Sequence, residues 1–330
     1  MAGFLLRRLL YLVCLVVVST SVAYWLAATE LNPRARYEGR NPPPPASVVD
    51  ATLDALNLND KVPVFTRFSR WGRGLVAGDL GRTIDNQSVN VEIGRRMWVS
   101  LRLVLVGAVV GTFLGVAAGA YGAVKQYQLS DRLLTIFSFV ILSIPAVVLC
   151  VLFKNLGIGL NNWFGFKGST KLLYTTGEIT PGIDPWTWVG MVNRLAHLAL
   201  PSAVLIVIAV AFYGRYQRNA MLDVLGSDFL RTARAKGLSR SRALITHGLR
   251  TALIPMATFF AYEFALLFVG ATFTEKLFGW HGMGEYFVES VIKNDVNSVA
   301  GVTLFVGVLV LIAGFLSDIA YAALDPRVRV

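Results

Sequence analysis

Apolar residues run along this chain in six long blocks, and polar residues are concentrated between them. An α-helix needs roughly 20 apolar residues to cross the hydrocarbon core of a bilayer, which is about 30 Å thick. The blocks meet that length, and they lack the two-residue alternation of membrane barrel strands. The pattern therefore predicts an all-α integral membrane protein with six transmembrane helices, at Leu9–Ala28, Val99–Ala123, Leu133–Phe153, Leu198–Arg215, Ala252–Thr274 and Val299–Ala323.

The composition agrees with this class. Hydrophobic residues make up 55% of the chain and charged residues 15%, whereas soluble domains carry about 25% charged residues. The first block follows Arg7 and Arg8, as the apolar region of a signal peptide would. That region has about 7–15 residues in secretory signals, so the longer block here predicts a helix that is retained.

The net charge of +11 would suggest a nucleic-acid partner in a soluble protein, but its distribution argues otherwise. With the N-terminus inside, the predicted cytoplasmic segments hold fourteen Lys and Arg, and the two short external loops hold six. The remaining external stretch is longer than the roughly 60 residues within which loop charge steers topology. The charge pattern predicts that the N- and C-termini are both cytoplasmic, with no nucleic-acid partner.

The same pattern predicts the organisation of the chain. Residues 1–29 form a first transmembrane helix, residues 30–98 an external segment with short amphipathic helices, and residues 99–330 a core of five transmembrane helices. A cytoplasmic loop at residues 216–251 interrupts the core. The external segment places four apolar side chains on one helical face, Val64, Phe68, Trp71 and Leu75. Such a segment fits a lid on the membrane surface or a docking platform for an external partner, and both alternatives stay open.

The second block has a strict glycine spacing. Glycine occupies every fourth position at Gly107, Gly111, Gly115 and Gly119. That spacing removes side chains from one face of a helix, so another helix can approach closely. We expect a helix-packing surface first, and a part in gating only second.

Two carboxylates, Glu263 and Asp318, fall inside predicted transmembrane helices. A charge near the bilayer centre costs about 2.5–3.5 kcal/mol on insertion scales, so such groups face a cavity or a partner. Glu263 near mid-membrane predicts either a group that lines a translocation path or a neutral side chain bonded between helices. Asp318 lies near the predicted cytoplasmic end of its helix, and this position favours a hydrogen bond to another helix.

Signs of catalysis are missing from the sequence. The chain contains no Gly-Lys dipeptide, so it lacks the phosphate-binding loop of nucleotide hydrolases. Its three histidines, His197, His247 and His281, are far apart, and Cys14 and Cys150 lie inside apolar blocks. We therefore expect no catalytic residue, no metal site and no cofactor in this chain.

A basic segment between the fourth and fifth blocks is too long for a simple connector. Residues 228–250 read DFLRTARAKGLSRSRALITHGLR. Ser227 predicts the start of a helix that ends near Lys236, and Gly237 is a natural C-terminal stop. Ser239 predicts the start of a second helix. A loop held against anionic lipid would explain the charge, but not the length or the small residues.

This segment resembles the cytoplasmic coupling loop of permease subunits from binding-protein-dependent ABC importers. RTARAKGL is similar to the form of the loop in the first permease of the dipeptide, oligopeptide and nickel group. In that pattern the first three of these residues take the positions of a Glu-Ala-Ala sequence, and Gly237 is the key glycine. The resemblance assigns the ATPase-coupling role to Arg231, Thr232, Ala233, Arg234, Ala235, Lys236, Gly237 and Leu238.

Further stretches resemble the same group. These are GDLG at 78–81, SDRLL at 130–134, LSIPA at 142–146, FGWHGMGEYFVESVIKND at 278–295 and ALDPRVR at 323–329. The similarity holds from about Leu56 onward. Residues 30–55 and 161–185 fit poorly, so features particular to this chain are expected there.

The resemblance implies the permease fold of type I ABC importers and a pore-forming subunit in the plasma (inner) membrane of a prokaryote. It implies a second homologous permease, an extracytoplasmic substrate-binding protein and two ATPase subunits, which would bind ATP and Mg. The implied cargo is an oligopeptide or dipeptide. Nickel or glutathione import on the same fold is the main alternative, and a secondary transporter would not explain the coupling-loop pattern.

Overall fold

The computed structural model describes residues 2–39, 41–166, 168 and 171–324. Within these ranges it describes the backbone alone at residues 2–6, 8, 240–241, 257–258, 260–270 and 322–324. Over these ranges the chain forms thirteen α-helices and one π-helical turn, and no β-strand. The helices are α1 (Ala2–Glu30), α2 (Ala35–Glu38), α3 (Ala46–Ala55), α4 (Val64–Val76), α5 (Val89–Val124), α6 (Leu129–Ser143), α7 (Ala146–Trp163), α8 (Trp188–Leu225), α9 (Asp228–Ala235), α10 (Arg240–Ala243), α11 (Arg250–Phe278), α12 (Met283–Ile292) and α13 (Val296–Leu324). The π-helical turn, Leu244–Leu249, joins α10 to α11.

Within the described residues, five helical stretches are long and apolar enough to cross a membrane. They are Leu9–Glu38, Val89–Val124, Ala146–Trp163, Trp188–Leu225 and Val296–Tyr321. The fifth predicted block lies in α11, where the side chains of its middle part fall outside the described residues. The all-helical membrane class is therefore established, while the count of six spans and the cytoplasmic termini stay predictions.

The third predicted block, Leu133–Phe153, is wrong as a single helix. α6 ends at Ser143, and α7 begins at Ala146 after an extended residue, Ile144 (φ −90°, ψ 126°). Pro145 causes the break, because proline lacks an amide hydrogen and disfavours helical geometry in the residue before it. Of the two helices, α7 is the one that is long and apolar enough to cross a membrane, with 18 residues.

The helices form two compact units. One is built mainly from Leu101–Trp280, and the other from Gly3–Ser100 with His281–Leu311.

In the second unit, residues 30–98, the predicted external segment, pack as a folded element against the end of α1. The ring of Tyr24 is fully buried and lies 5.1 Å from the ring of Trp71 and 5.5 Å from that of Phe68. The predicted apolar face of α4 contributes all four of its side chains to this cluster. Arg67 is buried beside them, and its guanidinium donates to the carbonyl of Ala28 over 3.2 Å. The amphipathic pattern of α4 is confirmed.

The start of α13 anchors the same segment through polar side chains. The carboxylate of Asp295 accepts the backbone amide hydrogen of Ile84 at 2.8 Å. The side-chain amide of Asn297 donates to the carbonyls of Leu56 and Arg82, both at 2.9 Å. Burial raises the pKa of Asp295 above its ordinary value. Segments more than 200 positions apart in sequence are thereby held together.

In the first unit, the glycine row of α5 lies directly against α8. A Cβ atom added to the row would meet a Cβ of α8 at a distance that real Cβ atoms do not reach: Leu205 at 2.7 Å from Gly107, Ala209 at 2.5 Å from Gly111, Tyr213 at 2.8 Å from Gly115 and Gln217 at 2.9 Å from Gly119. Both rows advance four residues at a time in the same direction, so α5 and α8 run parallel along this contact. The contact extends over about 18 Å of helix.

Replacing Gly111 with Leu is expected to destabilise the protein by several kcal/mol or to prevent its insertion, because its Cβ, whose position does not depend on the rotamer, would lie 2.5 Å from the Cβ of Ala209. Gly94 provides a matched control on the same helix, since a Cβ added there meets nothing within 4 Å. Thermal unfolding of the purified variants in detergent, read by fluorescence, measures the difference. If Gly111→Leu and Gly94→Leu unfold alike, the glycine row does not determine the packing of α5.

Candidate functional site

The basic segment that follows α8 contains a short exposed helix, α9. Asp228 stands in its first turn and Arg234 in its last, and each charge favours the adjoining end of the helix dipole. Leu230 is the only buried side chain of α9. Ser227 occupies the predicted N-cap position, but its hydroxyl donates to the carbonyl of Val224 at 2.6 Å and does not cap the helix.

α9 ends where the sequence predicted, and the reason is Gly237. This glycine has φ +92°, in the region that side chains disfavour. The amide of Leu238 donates to the carbonyl of Ala233 at 3.3 Å, and the amide of Gly237 donates to that of Arg234 at 3.0 Å. These two bonds form a Schellman motif, which satisfies carbonyls at the helix end. A Cβ added to Gly237 would meet nothing within 4 Å, so this end of α9 has an open surface.

The second helix of the segment starts as predicted but does not end separately. The hydroxyl of Ser239 accepts the amide hydrogen of Arg242 at 3.4 Å, at the start of α10. The backbone then stays helical through the π-turn Leu244–Leu249 and into α11. Gly248 is buried in this turn, where an added Cβ would lie 3.3 Å from Val224 and 3.5 Å from Leu230. The turn therefore ties α9 to the ends of both α8 and α11.

The predicted coupling residues lie together on this short element. Six of the eight are exposed and two are partly buried: exposed are Arg231, Thr232, Arg234, Ala235, Lys236 and Gly237, and partly buried are Ala233 and Leu238. Arg231 forms an i,i+3 contact with Asp228 at 3.6 Å, with both side chains largely exposed. Because such exposed pairs contribute little, most of the basic charge of α9 is available to a partner.

An ion pair that the sequence did not suggest lies near the same end of α8. Arg218 binds the carboxylate of Asp131 at the start of α6 with two bonds, Nε to Oδ1 at 2.5 Å and Nη2 to Oδ2 at 2.8 Å. The backbone amide of Tyr127 donates to the same carboxylate at 2.9 Å. Asp131 is buried, and the guanidinium beside it lowers the pKa of the carboxyl below its ordinary value. In the sequence, Arg218 stands out only as one of the fourteen basic residues of the predicted cytoplasmic segments.

Residues 171–185, within the region that fits the family poorly, form an ordered cap on the other end of α8. Asn161 on α7 donates to the carbonyl of Leu173 at 2.6 Å. The amide of Gly177 donates to the carbonyl of Phe278 on α11 at 2.7 Å. Glu178 lies 2.7 Å from Arg102 on α5 and 3.3 Å from Arg194 on α8. Side chains from three helices and the backbone of a fourth therefore hold this cap.

His197 on α8 is the centre of the cap. Its Nδ1 lies 2.8 Å from the carbonyl of Gly177, which can only accept, so Nδ1 carries a proton. Its Nε2 lies 3.2 Å from the hydroxyl of Thr180, and Asn193 donates to the same hydroxyl at 3.0 Å. The imidazole ring stacks on Tyr174 with 4.1 Å between ring centroids. This histidine is therefore part of a structural network.

The two intramembrane carboxylates belong to different helices. Glu263 lies within α11, and its side chain falls outside the described residues, so its proposed role in the translocation path stays a prediction. Asp318 lies in α13 and is partly buried.

Several membrane-length helices with an exposed basic helix between two of them define a multi-pass membrane protein. The chain belongs to the family of binding-protein-dependent transport system inner membrane components, whose model matches residues 111–330. That match includes the last three positions of the glycine row, the cap and the whole basic segment.

Curated relatives cover most or all of the chain. The oligopeptide transport system permease protein OppB of Mycobacterium bovis is 50% identical over 330 residues, which is 100% of both chains. The oligopeptide transport system permease protein AppB of Bacillus subtilis is 33% identical over 284 residues, or 84% of both chains. The di/tripeptide transport system permease protein DppB of Pseudomonas aeruginosa is 32% identical over 284 residues, or 81% of both. These names do not favour the nickel or glutathione alternative.

Replacing His197 with Ala is expected to loosen the cap, because the carbonyl of Gly177 and the hydroxyl of Thr180 each lose their bond to the imidazole ring. Each lost bond contributes about 1 kcal/mol, so amide hydrogen exchange at residues 174–180 should accelerate roughly tenfold or more.

His281→Ala serves as the control for this change, since the side chain of His281 is largely exposed. Hydrogen exchange followed by mass spectrometry of the full chain in nanodiscs measures both variants. Unchanged protection in His197→Ala would show that the cap is held without this ring.

Proposed function

We propose that this chain is the pore-forming permease subunit of an ATP-driven, binding-protein-dependent importer of oligopeptides or dipeptides. The observation that carries the proposal is α9, an exposed basic helix that ends in an open glycine turn and packs beside the π-turn that leads into a membrane helix. Its sequence resembles the coupling loop of such permeases, and the family membership supports that assignment.

The geometry of α9 suits docking into a cleft of another protein. Its outward face carries small side chains at Ala235 and Gly237, so a surrounding surface can approach the helix closely. Arg231, Arg234 and Lys236 add positive charge that favours an acidic groove. We assign that groove to a partner ATPase subunit, which binds ATP and Mg and supplies the hydrolysis; this chain would supply no catalytic residue.

A movement of α9 would be transmitted to the membrane helices through packing contacts. Leu230 fixes α9 beside Gly248 of the π-turn, and the turn continues into α11 without a break in the helical backbone. Near the same end of α8, Arg218 fixes α6 through Asp131. We propose that closure of the ATPase pair moves this connected set of helices and changes which side of the pore is open.

The proposed cargo follows from the relatives, which are named for oligopeptide or di/tripeptide transport. An extracytoplasmic binding protein would deliver the peptide, with the external segment around α3 and α4 as its docking platform. A second homologous permease would complete the pore. Glu263 is proposed to line the path and to accommodate the charged amino group of a peptide.

The coupling proposal is tested at Gly237. Gly237→Val places a β-branched side chain at φ +92°, which such residues avoid, and so disturbs the end of α9. We expect normal insertion into the membrane, but much less ATPase in the purified complex, or ATP hydrolysis without peptide uptake. Co-purification and uptake of a radiolabelled tripeptide are the two measurements.

Two variants control for this change. Gly226→Val adds the same side chain at φ −83°, where it causes no backbone strain, and should leave both readings unchanged. Arg242→Gln removes one positive charge from the second helix and should have little effect. Normal ATPase binding and uptake in Gly237→Val would contradict the coupling role and favour a secondary transporter.

The predicted topology has its own test. In a chain with both native cysteines replaced by Ala, Ser239→Cys and Lys171→Cys each introduce one thiol at an exposed position. A membrane-impermeant maleimide should label Lys171→Cys in intact spheroplasts and Ser239→Cys only after permeabilisation. Labelling of both from the same side would exclude the six-span arrangement.

A further inference from the structure

A cleft of about 440 Å³ opens between α5, α6 and α8. Toward the end of α8 that leads into the basic segment, the lining of the cleft is polar and includes Arg215, Arg218 and Asn219. The apolar part of the lining includes Ala118, Phe137 and Val210. The cleft therefore combines an apolar wall with a polar end.

The charges at the polar end do not cancel. Asp131 neutralises Arg218 through the bidentate pair described above. Arg215 is exposed and has no carboxylate partner among the described side chains; its guanidinium lies 5.6 Å from the ring centroid of Phe139 and 5.9 Å from that of Tyr216. The polar end of the cleft therefore has a net positive charge.

We propose that an anionic phospholipid of the cytoplasmic leaflet binds in this cleft, with its phosphate on Arg215 and Asn219 and an acyl chain along the apolar wall. The assignment to the cytoplasmic leaflet rests on the proposed function, which places the basic segment on that side. Basic pockets between transmembrane helices on the cytoplasmic side bind anionic head groups. The bound lipid would join α6 to α8 beside the Asp131–Arg218 pair and stabilise the helices that receive the motion of α9.

The positive charge favours a lipid over a helix of the second permease as the occupant. A packed apolar helix would cover Arg215 without offering a carboxylate, and burying an unpaired guanidinium is strongly unfavourable. A phosphodiester supplies the missing charge and leaves the guanidinium at the membrane interface. Arg215 already lies over Phe139, so its side chain needs little ordering before it binds the phosphate.

The test uses the complex of this chain with its partner subunits, and the full chain alone, in phosphatidylcholine nanodiscs that contain a photoactivatable phosphatidylglycerol. After irradiation, mass spectrometry should find the lipid adduct on peptides of α6 and α8. Arg215→Gln should lower the adduct yield about fivefold, because one basic group near the surface is lost. Arg132→Gln removes an exposed charge that does not line the cleft and should leave the yield unchanged.

Filling the cleft provides a second reading that leaves the charge intact. Ala118→Trp should lower the adduct yield as strongly as Arg215→Gln, since the bulky ring occupies the apolar wall. An equal adduct yield with a photoactivatable phosphatidylcholine, or an equal loss in Arg132→Gln, would overturn the proposal. So would a photoreactive residue at position 137 that captures the second permease instead of lipid. A complex that assembles and hydrolyses ATP but yields no adduct refutes only the lipid site, whereas failure of the complex to assemble refutes the proposed function.

Discussion

The close approach of α5 to α8 is the contact on which the first unit depends. Inside a bilayer, helices gain little from leaving lipid, so their association rests on van der Waals contact and on polar bonds between them. Contact energy falls steeply with separation, and side chains on α5 would hold the two backbones apart. The glycine row removes them over about 18 Å. The row thus permits a contact that no larger residues could make.

α8 connects the cap, the glycine row of α5 and the basic segment. One end of α8 carries Asn193 and His197, which hold the cap. Its middle carries the residues that contact the glycine row, from Leu205 to Gln217. Its other end carries Arg218 and leads into α9. Because one helix of 38 residues bears all three features, the cap and the basic segment are connected by a single continuous helix.

The features that the sequence predicted are those with a local or periodic cause. The glycine spacing, the apolar face of α4 and the helix stop at Gly237 each depend on residues within a few positions of one another. Asp131 and Arg218 pair across 87 positions, and the bonds of Asp295 and Asn297 cross more than 200, so nothing in local spacing points to them. The break at Pro145 also had a local cause. It was missed because the blocks were predicted from hydropathy averaged over many residues, and one missing amide hydrogen does not change that average. A hydroxyl such as that of Ser227 has two possible partners, and only the fold selects between them.

The π-turn before α11 sets the rotation of α10 relative to α11 about the helix axis. A π-turn holds one residue more than an α-turn, and each residue of an α-helix advances the helix by about 100° of rotation. The extra residue within Leu244–Leu249 therefore rotates α10 relative to α11 by about one such step, although the backbone remains helical at both of its ends. A chain one residue shorter at this point would keep every side chain of α11 and yet present another side of that helix to α9. The length of this turn, and not only its composition, therefore helps to set the orientation of the basic segment relative to α11.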